Sequence, residues 1–141
     1  MKSYKPTTPS RRHMTTIPYR ELLSGAKKPE KSLVYGRKRS VGRNNQGRIT
    51  TRHKGGGHKR LFREVDFLYN KFDIPAKITS IEYDPNRTAF IALAVYKDGE
   101  KRYVIAPKSM KVGDTFVVSE SAPLTTGNRL PLRKIPVGTF V

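Results

Sequence analysis

Residues 76–106 read AKITSIEYDPNRTAFIALAVYKDGEKRYVIA, and this stretch decides the fold. It holds three apolar runs separated by two turn signals. The first run, 76–83, is rich in Ile and broken by Ser80, where a bulge is expected. Asp84-Pro85-Asn86 is a turn. The second run, 89–96, puts Ile91, Leu93 and Val95 on one face and Phe90, Ala92, Ala94 and Tyr96 on the other, so both faces are expected to be covered. Lys97-Asp98-Gly99-Glu100 contains the Asp-Gly pair of a tight hairpin. The third run, 101–106, returns as a strand, and Pro107 ends it.

Outward from this meander, 61–68 reads as a preceding strand. Gly113-Asp114 leads into another at 115–119, and 135–141 is a candidate sixth. About five short strands without a convincing helix predict a small all-β barrel over residues 61–135. The OB-fold is the leading architecture, and an SH3-like barrel remains open on periodicity alone. The expected core includes Ile78, Ile81, Ile91, Leu93, Val95, Val104, Ile105, Phe116 and Val117.

Upstream the physics changes. The 141 residues carry a net charge of +18, from 29 Lys and Arg against 11 Asp and Glu. Residues 1–63 hold 18 of those cations and only two acids, Glu21 and Glu30, leaving 64–141 nearly balanced. Such asymmetry points to a polyanion-binding arm on an ordinary domain, with nucleic acid the leading partner class. Apolar residues there are scattered among Gly, Pro, Ser, Thr and Asn. Self-burial would not offset the cost of ordering, so residues 1–60 are expected to form a long extended basic arm that a partner orders.

Other chemistries are poorly served. The chain has no cysteine, so disulfides and thiolate metal sites are excluded. No apolar run is long enough to span a bilayer. The opening residues lack the apolar stretch of a signal peptide, and without export the Asn86-Arg87-Thr88 sequon carries no meaning. Gly42 and Gly47 have the spacing of a phosphate loop, but Arg48-Ile49 stands where Lys and Ser or Thr are needed. His53 and His58 lack further ligands at zinc spacing. Arg37-Lys38-Arg39 resembles a nuclear localisation run, a weak signal in any RNA-binding tail. A membrane-binding basic helix is ruled out by the Gly and Asn content. There is no nucleophile elbow or catalytic Cys, and the acids of the second half fall at strand ends and turns. The expectation is a non-enzyme with no cofactor, no metal, no membrane partner and no small-molecule substrate.

The most informative arm segment is 42–60, GRNNQGRITTRHKGGGHKR. Arg43, Arg48, Arg52, Lys54, Lys59 and Arg60 suit phosphate. Asn44, Asn45, Gln46, Thr50 and Thr51 add hydrogen bonds to sugars and base edges. Gly55, Gly56 and Gly57 would let the backbone approach RNA closely. His53 and His58 fit stacking or hydrogen bonding to RNA.

That segment resembles the signature of the L-two family of large-subunit ribosomal proteins. Further matching pieces are Tyr4-Lys5-Pro6-Thr7, Arg11-Arg12-His13, Val65-Asp66-Phe67, Ile81-Glu82-Tyr83-Asp84-Pro85-Asn86-Arg87, Tyr96-Lys97-Asp98-Gly99-Glu100, Tyr103-Val104-Ile105-Ala106-Pro107-Lys108 and Ile135-Pro136-Val137-Gly138. The resemblance implies an RNA-threaded arm, an OB-fold and a role in subunit assembly and translation. Its implied partners are large-subunit ribosomal RNA and neighbouring ribosomal proteins, in a bacterial or organellar ribosome. It further implies that 136–141 begin a second barrel. The expected RNA-contacting set also takes in Arg11, Arg12, His13, Arg37, Lys38, Arg39, Arg87, Arg102 and Lys108. The runner-up is a free-standing OB-fold RNA chaperone, which would display Tyr83, Phe90 and Tyr96 for base stacking.

Overall fold

The three apolar runs of 76–106 form one antiparallel meander, because each is bounded by residues that can turn the chain and none is long enough for a helix. A computed structural model of the chain describes residues 1–24, 28–55 and 57–139. In chain order the strands are β1 (Lys2–Ser3), β2 (Thr15–Thr16), β3 (Val34–Gly36), β4 (Leu61–Arg63), β5 (Ala76–Glu82), β6 (Ile91–Tyr96), β7 (Lys101–Ile105) and β8 (Thr115–Phe116). A single α-helical turn, α1 (Tyr19–Leu22), and 3-10 turns at Pro9–Arg11, Lys31–Leu33 and Leu132–Lys134 complete the described elements. The architecture is nearly all β. Its centre is a curled antiparallel half-barrel of OB type, with strand order β7-β6-β5-β8.

The expected bulge is present. Pairing between β5 and β6 shifts between Ile78 and Ser80, leaving Thr79 as the extra residue. Thr79 Oγ1 donates to the Leu93 carbonyl at 3.0 Å, so the bulge is held across the strand. Under regular alternation Ile78 and Ile81, three positions apart, would face opposite sides, and the bulge brings both to one face. The Asp-Gly hairpin closes with Gly99 at φ +87° and its N–H on the Tyr96 carbonyl at 2.9 Å. At the other turn, Asp84 is fully buried. Its carboxylate accepts from the Asn86 N–H at 2.9 Å and the Arg87 Nε–H at 2.6 Å, which satisfies a charge that would otherwise be costly to bury.

The sheet contains four laddered strands, and the expected first strand, 61–68, is divided. Only Leu61–Arg63 extends, and it pairs with β3 as a separate two-stranded ribbon. Val65 then makes a single parallel bridge to Tyr103 at the sheet edge. The division has a local cause. Asp66 Oδ1 accepts from the N–H groups of Leu68 and Tyr69, an Asx turn that stops extension. The candidate strand at 135–141 is absent over its described part, 135–139, which follow the 3-10 turn Leu132–Lys134 without strand pairing. Residues 140–141 lie outside the described residues.

The core also differs from expectation on β6. Its concave face is Ala92, Ala94 and Tyr96, packed with Ala76, Ile78, Ile81, Val104, Met110, Phe116 and Val118. Leu93 and Val95 are only half-buried, as are Ile105 and Val117. Strong curling crowds the inner face, so small alanines fill it and the large aliphatics move outward. The outer face carries its own polar network. Buried Glu82 accepts from Ser80 Oγ and from the Tyr103 hydroxyl, each at 2.8 Å, and that hydroxyl in turn accepts from the Glu30 N–H at 2.9 Å. Burial pushes the Tyr103 phenol above its ordinary range.

Residues 1–60 are not one extended arm. β1 and β2 pair with each other. The Ile81 N–H donates to Ser24 Oγ at 2.6 Å, and the Ser24 N–H returns to the Ile81 carbonyl at 3.0 Å. Ser24 thereby caps the edge of β5 beyond its short pairing with β8. Tyr19 lies edge-on to Tyr83 and Phe90, with centroids at 5.6 and 5.7 Å. The basic half is thus fastened to the half-barrel at Tyr19, Ser24 and Glu30, and its β3 pairs with β4 in the separate ribbon.

Candidate nucleic-acid interface

Between β3 and β4 the chain makes a long excursion, residues 37–60, that carries nine Lys and Arg and no acid. Among its described residues all but Val41 and Gly42 are exposed. It has too little apolar surface for a core, so its order comes from polar contacts. Gly42 is the pivot. Its carbonyl accepts from the N–H groups of Thr50 and Thr51 at 2.8 and 3.2 Å. Its φ is +74°, and a Cβ there would lie 2.3 Å from the Thr51 carbonyl oxygen. Asn44 Oδ1 accepts from the Gln46 and Arg48 N–H groups at 3.0 and 2.9 Å, and Arg43 bridges to Ile49 across the turn. Gly47, at φ +80°, completes it.

Several residues expected to meet RNA directly therefore also build the loop. Asn44 uses its side-chain oxygen internally. Arg43 Nη1 donates to the Val41 carbonyl at 2.7 Å and lies 3.4 Å from the Lys54 carbonyl. Donors of its guanidinium remain for a ligand. The glycines have a similar second role. A Cβ on Gly57 would sit 2.6 Å from Arg39 Nη1, so its bare backbone accommodates that guanidinium. At Gly55 a Cβ would lie 3.4 Å from Arg43 Nη1, an ordinary contact, and it is the φ of +124° that calls for glycine. Gly56 lies outside the described residues. Arg48, Arg52, His53, Lys54, His58, Lys59 and Arg60 are all exposed, as are Asn45, Thr51, Arg37 and Lys38.

The outlying candidates separate into two kinds. Arg11, Arg12 and His13 are exposed on the N-terminal turn, where the Arg11 guanidinium lies 5.5 Å from the Tyr4 ring centroid. Lys108 is exposed on a groove of about 940 Å³ also lined by Thr126, Asn128 and Arg129. Arg87 and Arg102 are instead compensated. Arg87 pairs with Asp84. Arg102 reaches Asp66 at 2.8 Å and Glu100 at 2.6 Å, and the two carboxylates raise its affinity for its proton further. Burial raises the Asp66 carboxyl, but Arg102 and the Tyr69 and Leu68 N–H groups outweigh it and hold it below the ordinary range.

The stacking aromatics required by a free chaperone all have partners within the chain, although Tyr83 keeps 47% of its surface exposed. Tyr96 is buried beneath Lys71 and Arg102, with Lys71 Nζ 5.0 Å from the ring centroid. Tyr83 and Phe90 both hold Tyr19. Among the described residues no group of three His, Asp or Glu is placed to hold a metal. No helix there is long and apolar enough to cross a membrane.

A family model described as ribosomal proteins L2, RNA-binding N-terminal domain, matches residues 30–119. The chain belongs to the ribosomal protein L2 family. The match covers well over half of the chain, including the ribbon, its basic loop and all four strands of the half-barrel. This is a family of structural, RNA-binding ribosomal proteins, and the matched part is its RNA-binding domain. Arg11, Arg12 and His13 precede the matched span.

Sequence reasoning missed the fastening points Ser24 and Glu30 and the ribbon that closes the loop. A signal for the ribbon does exist. Val34-Tyr35 and Leu61-Phe62 are short apolar pairs flanking the basic segment, and two such pairs around a polar excursion fit a hairpin.

Proposed function

We propose that the chain is a structural constituent of the large ribosomal subunit that binds its ribosomal RNA and supports assembly and translation. Residues 37–60 supply the main contact. Arg37, Lys38, Arg39, Arg48, Arg52, Lys54, Lys59 and Arg60 neutralise phosphates, and Arg43 and Asn44 both shape the loop and face the RNA. Arg11, Arg12 and His13 form a second contact, with Lys108 at the margin. Arg87 and Arg102 act through their ion pairs. The half-barrel, residues 61–135, is the platform, and 136–141 lead toward a further barrel. The wording of 43–53 favours a bacterial-type ribosome, in a bacterial cytoplasm or an organelle, and neighbouring ribosomal proteins complete the surroundings. No reaction is assigned.

The observation that carries this reading is the density of exposed cation, with no acid in the same segment, on one loop within the matched RNA-binding domain. Cations that neutralise phosphates release counterions, so log affinity falls linearly with log salt. With six to nine phosphates met, the slope is roughly −4 to −6 on single-stranded RNA. Replacing residues 38–59 by an Asn-Gly turn is expected to flatten that slope and weaken binding, measured by filter binding across a salt series. An unchanged slope with unchanged affinity would overturn the assignment.

A further inference from the structure

The ribbon at the root of the basic loop carries a feature that phosphate contact does not use. Tyr35 on β3 lies directly opposite Phe62 on β4. Directly opposed residues of an antiparallel pair share a face, so both rings emerge together. Val34 and Arg63 alternate to the other face, where the Arg63 Nε is buried. The two rings are 5.0 Å apart at 41°. The Arg37 guanidinium lies 5.8 Å from the Phe62 centroid. Tyr35 is 50% exposed. A cross-strand pair can stabilise a ribbon without further purpose. This one, however, presents an open aromatic surface to solvent within the most cationic part of the molecule. Of the other aromatics near cations, Tyr96 is buried and Tyr69 lies beneath Arg129, while exposed Phe67 faces Arg87, whose guanidinium is tied to Asp84.

We infer that Tyr35 and Phe62, flanked by Arg37, form a stacking platform for an unpaired RNA base. The inference rests on the RNA-binding reading above and adds the class of nucleotide that the loop's root selects. Any base has a π-face, so recognition here is tolerant of sequence, and Arg37 adds a cation beside the stack. A base within a duplex keeps its faces against its neighbours and cannot reach the platform. The ribbon therefore favours looped or bulged RNA while the cations beyond it hold the flanking phosphates.

The test uses the full chain and two probes. One is a single-stranded RNA of about a dozen nucleotides, within the footprint of small single-strand binders, carrying a central 2-aminopurine. The other is the same strand in a blunt duplex. Binding to the single strand is expected to quench 2-aminopurine emission. Tyr35→Leu and Phe62→Leu keep apolar bulk but lose the stack. Each is expected to weaken single-strand binding by roughly tenfold, abolish the quench and leave the salt slope unchanged. Duplex affinity should not move. Tyr35→Trp is expected to preserve the quench, and it keeps the test decisive if a Leu variant fails to fold by circular dichroism. Salt-sensitive binding by the native chain without any quench overturns the platform and leaves the phosphate-binding reading standing. Equal binding of both probes by folded Leu variants and the native chain does the same. The absence of salt-sensitive binding to either probe overturns both.

Discussion

Gly42 and Gly47 sit in the same loop with nearly the same positive φ, yet substitution should separate them. At Gly47 a methyl group would find nothing within 4 Å, so Gly47→Ala meets only backbone strain, about 1–2 kcal/mol. At Gly42 the added Cβ also meets the Thr51 carbonyl oxygen, and Thr51 cannot retreat without breaking its N–H bond to the Gly42 carbonyl. Gly42→Ala is therefore expected to open the loop, seen as faster amide exchange at Thr50 and Thr51, whereas Gly47→Ala should leave those amides protected. Asp84 presents a different residue-scale case. Its buried carboxylate organises Asn86 and Arg87, and Asp84→Ala would strand both donors. The expected loss is about 2–4 kcal/mol in urea unfolding, discounted because Arg87 remains partly solvated. A loss below about 0.5 kcal/mol, the range of ordinary surface changes, would show that the turn does not depend on it.

At the scale of elements, β6 shows where sequence reading succeeds and where it stops. Its existence, its hairpin with β7 and a bulge opposite it, expected at Ser80 and found one residue earlier at Thr79, were legible, because turn residues and apolar runs are local signals. The inward face was not. By size alone Ile91, Leu93 and Val95 look like core, and Ile91 is fully buried, but Leu93 and Val95 are only half-buried, because curvature is a property of the whole sheet and reserves the concave side for Ala92 and Ala94. Ala94→Leu is accordingly expected to cost about 1–3 kcal/mol through overpacking. Leu93→Val, on the half-buried side, should cost less than about 1.5 kcal/mol, and thermal unfolding of the pair would reveal a reversed order if the concave assignment were wrong. The same reasoning explains the loop. Its RNA-directed composition was plain from residues 42–60, but the internal duties of Arg43, Asn44 and Gly57 depend on contacts between residues up to eighteen positions apart, which no local pattern encodes.

Across the whole molecule, charge is segregated between loop cations that enter no ion pair among the described residues and a paired network on the half-barrel. Lys71 bridges Asp98 and Glu100, and Arg102 bridges Glu100 and Asp66. The hydrogen bond from Lys71 holds Asp98 and Glu100 below their ordinary ranges. Carboxyl groups with depressed folded-state values contribute stability above their unfolded values, about pH 4, and lose it as pH falls through the depressed ones. The urea midpoint should therefore drop below about pH 4, and Lys71→Met should make that drop shallower; an equal drop in both proteins would remove the network from the account. The ribbon has a consequence of another sort. Because β3 and β4 clasp both ends of the basic segment, it is a closed bight of chain with no free tip. A single strand can be drawn through a gap one chain wide, but a doubled one needs about 10 Å, two strand spacings. Any RNA enclosure narrower than that must close around the bight after it arrives, so the clasp turns the order of folding, protein loop first and RNA closure second, into a geometric requirement.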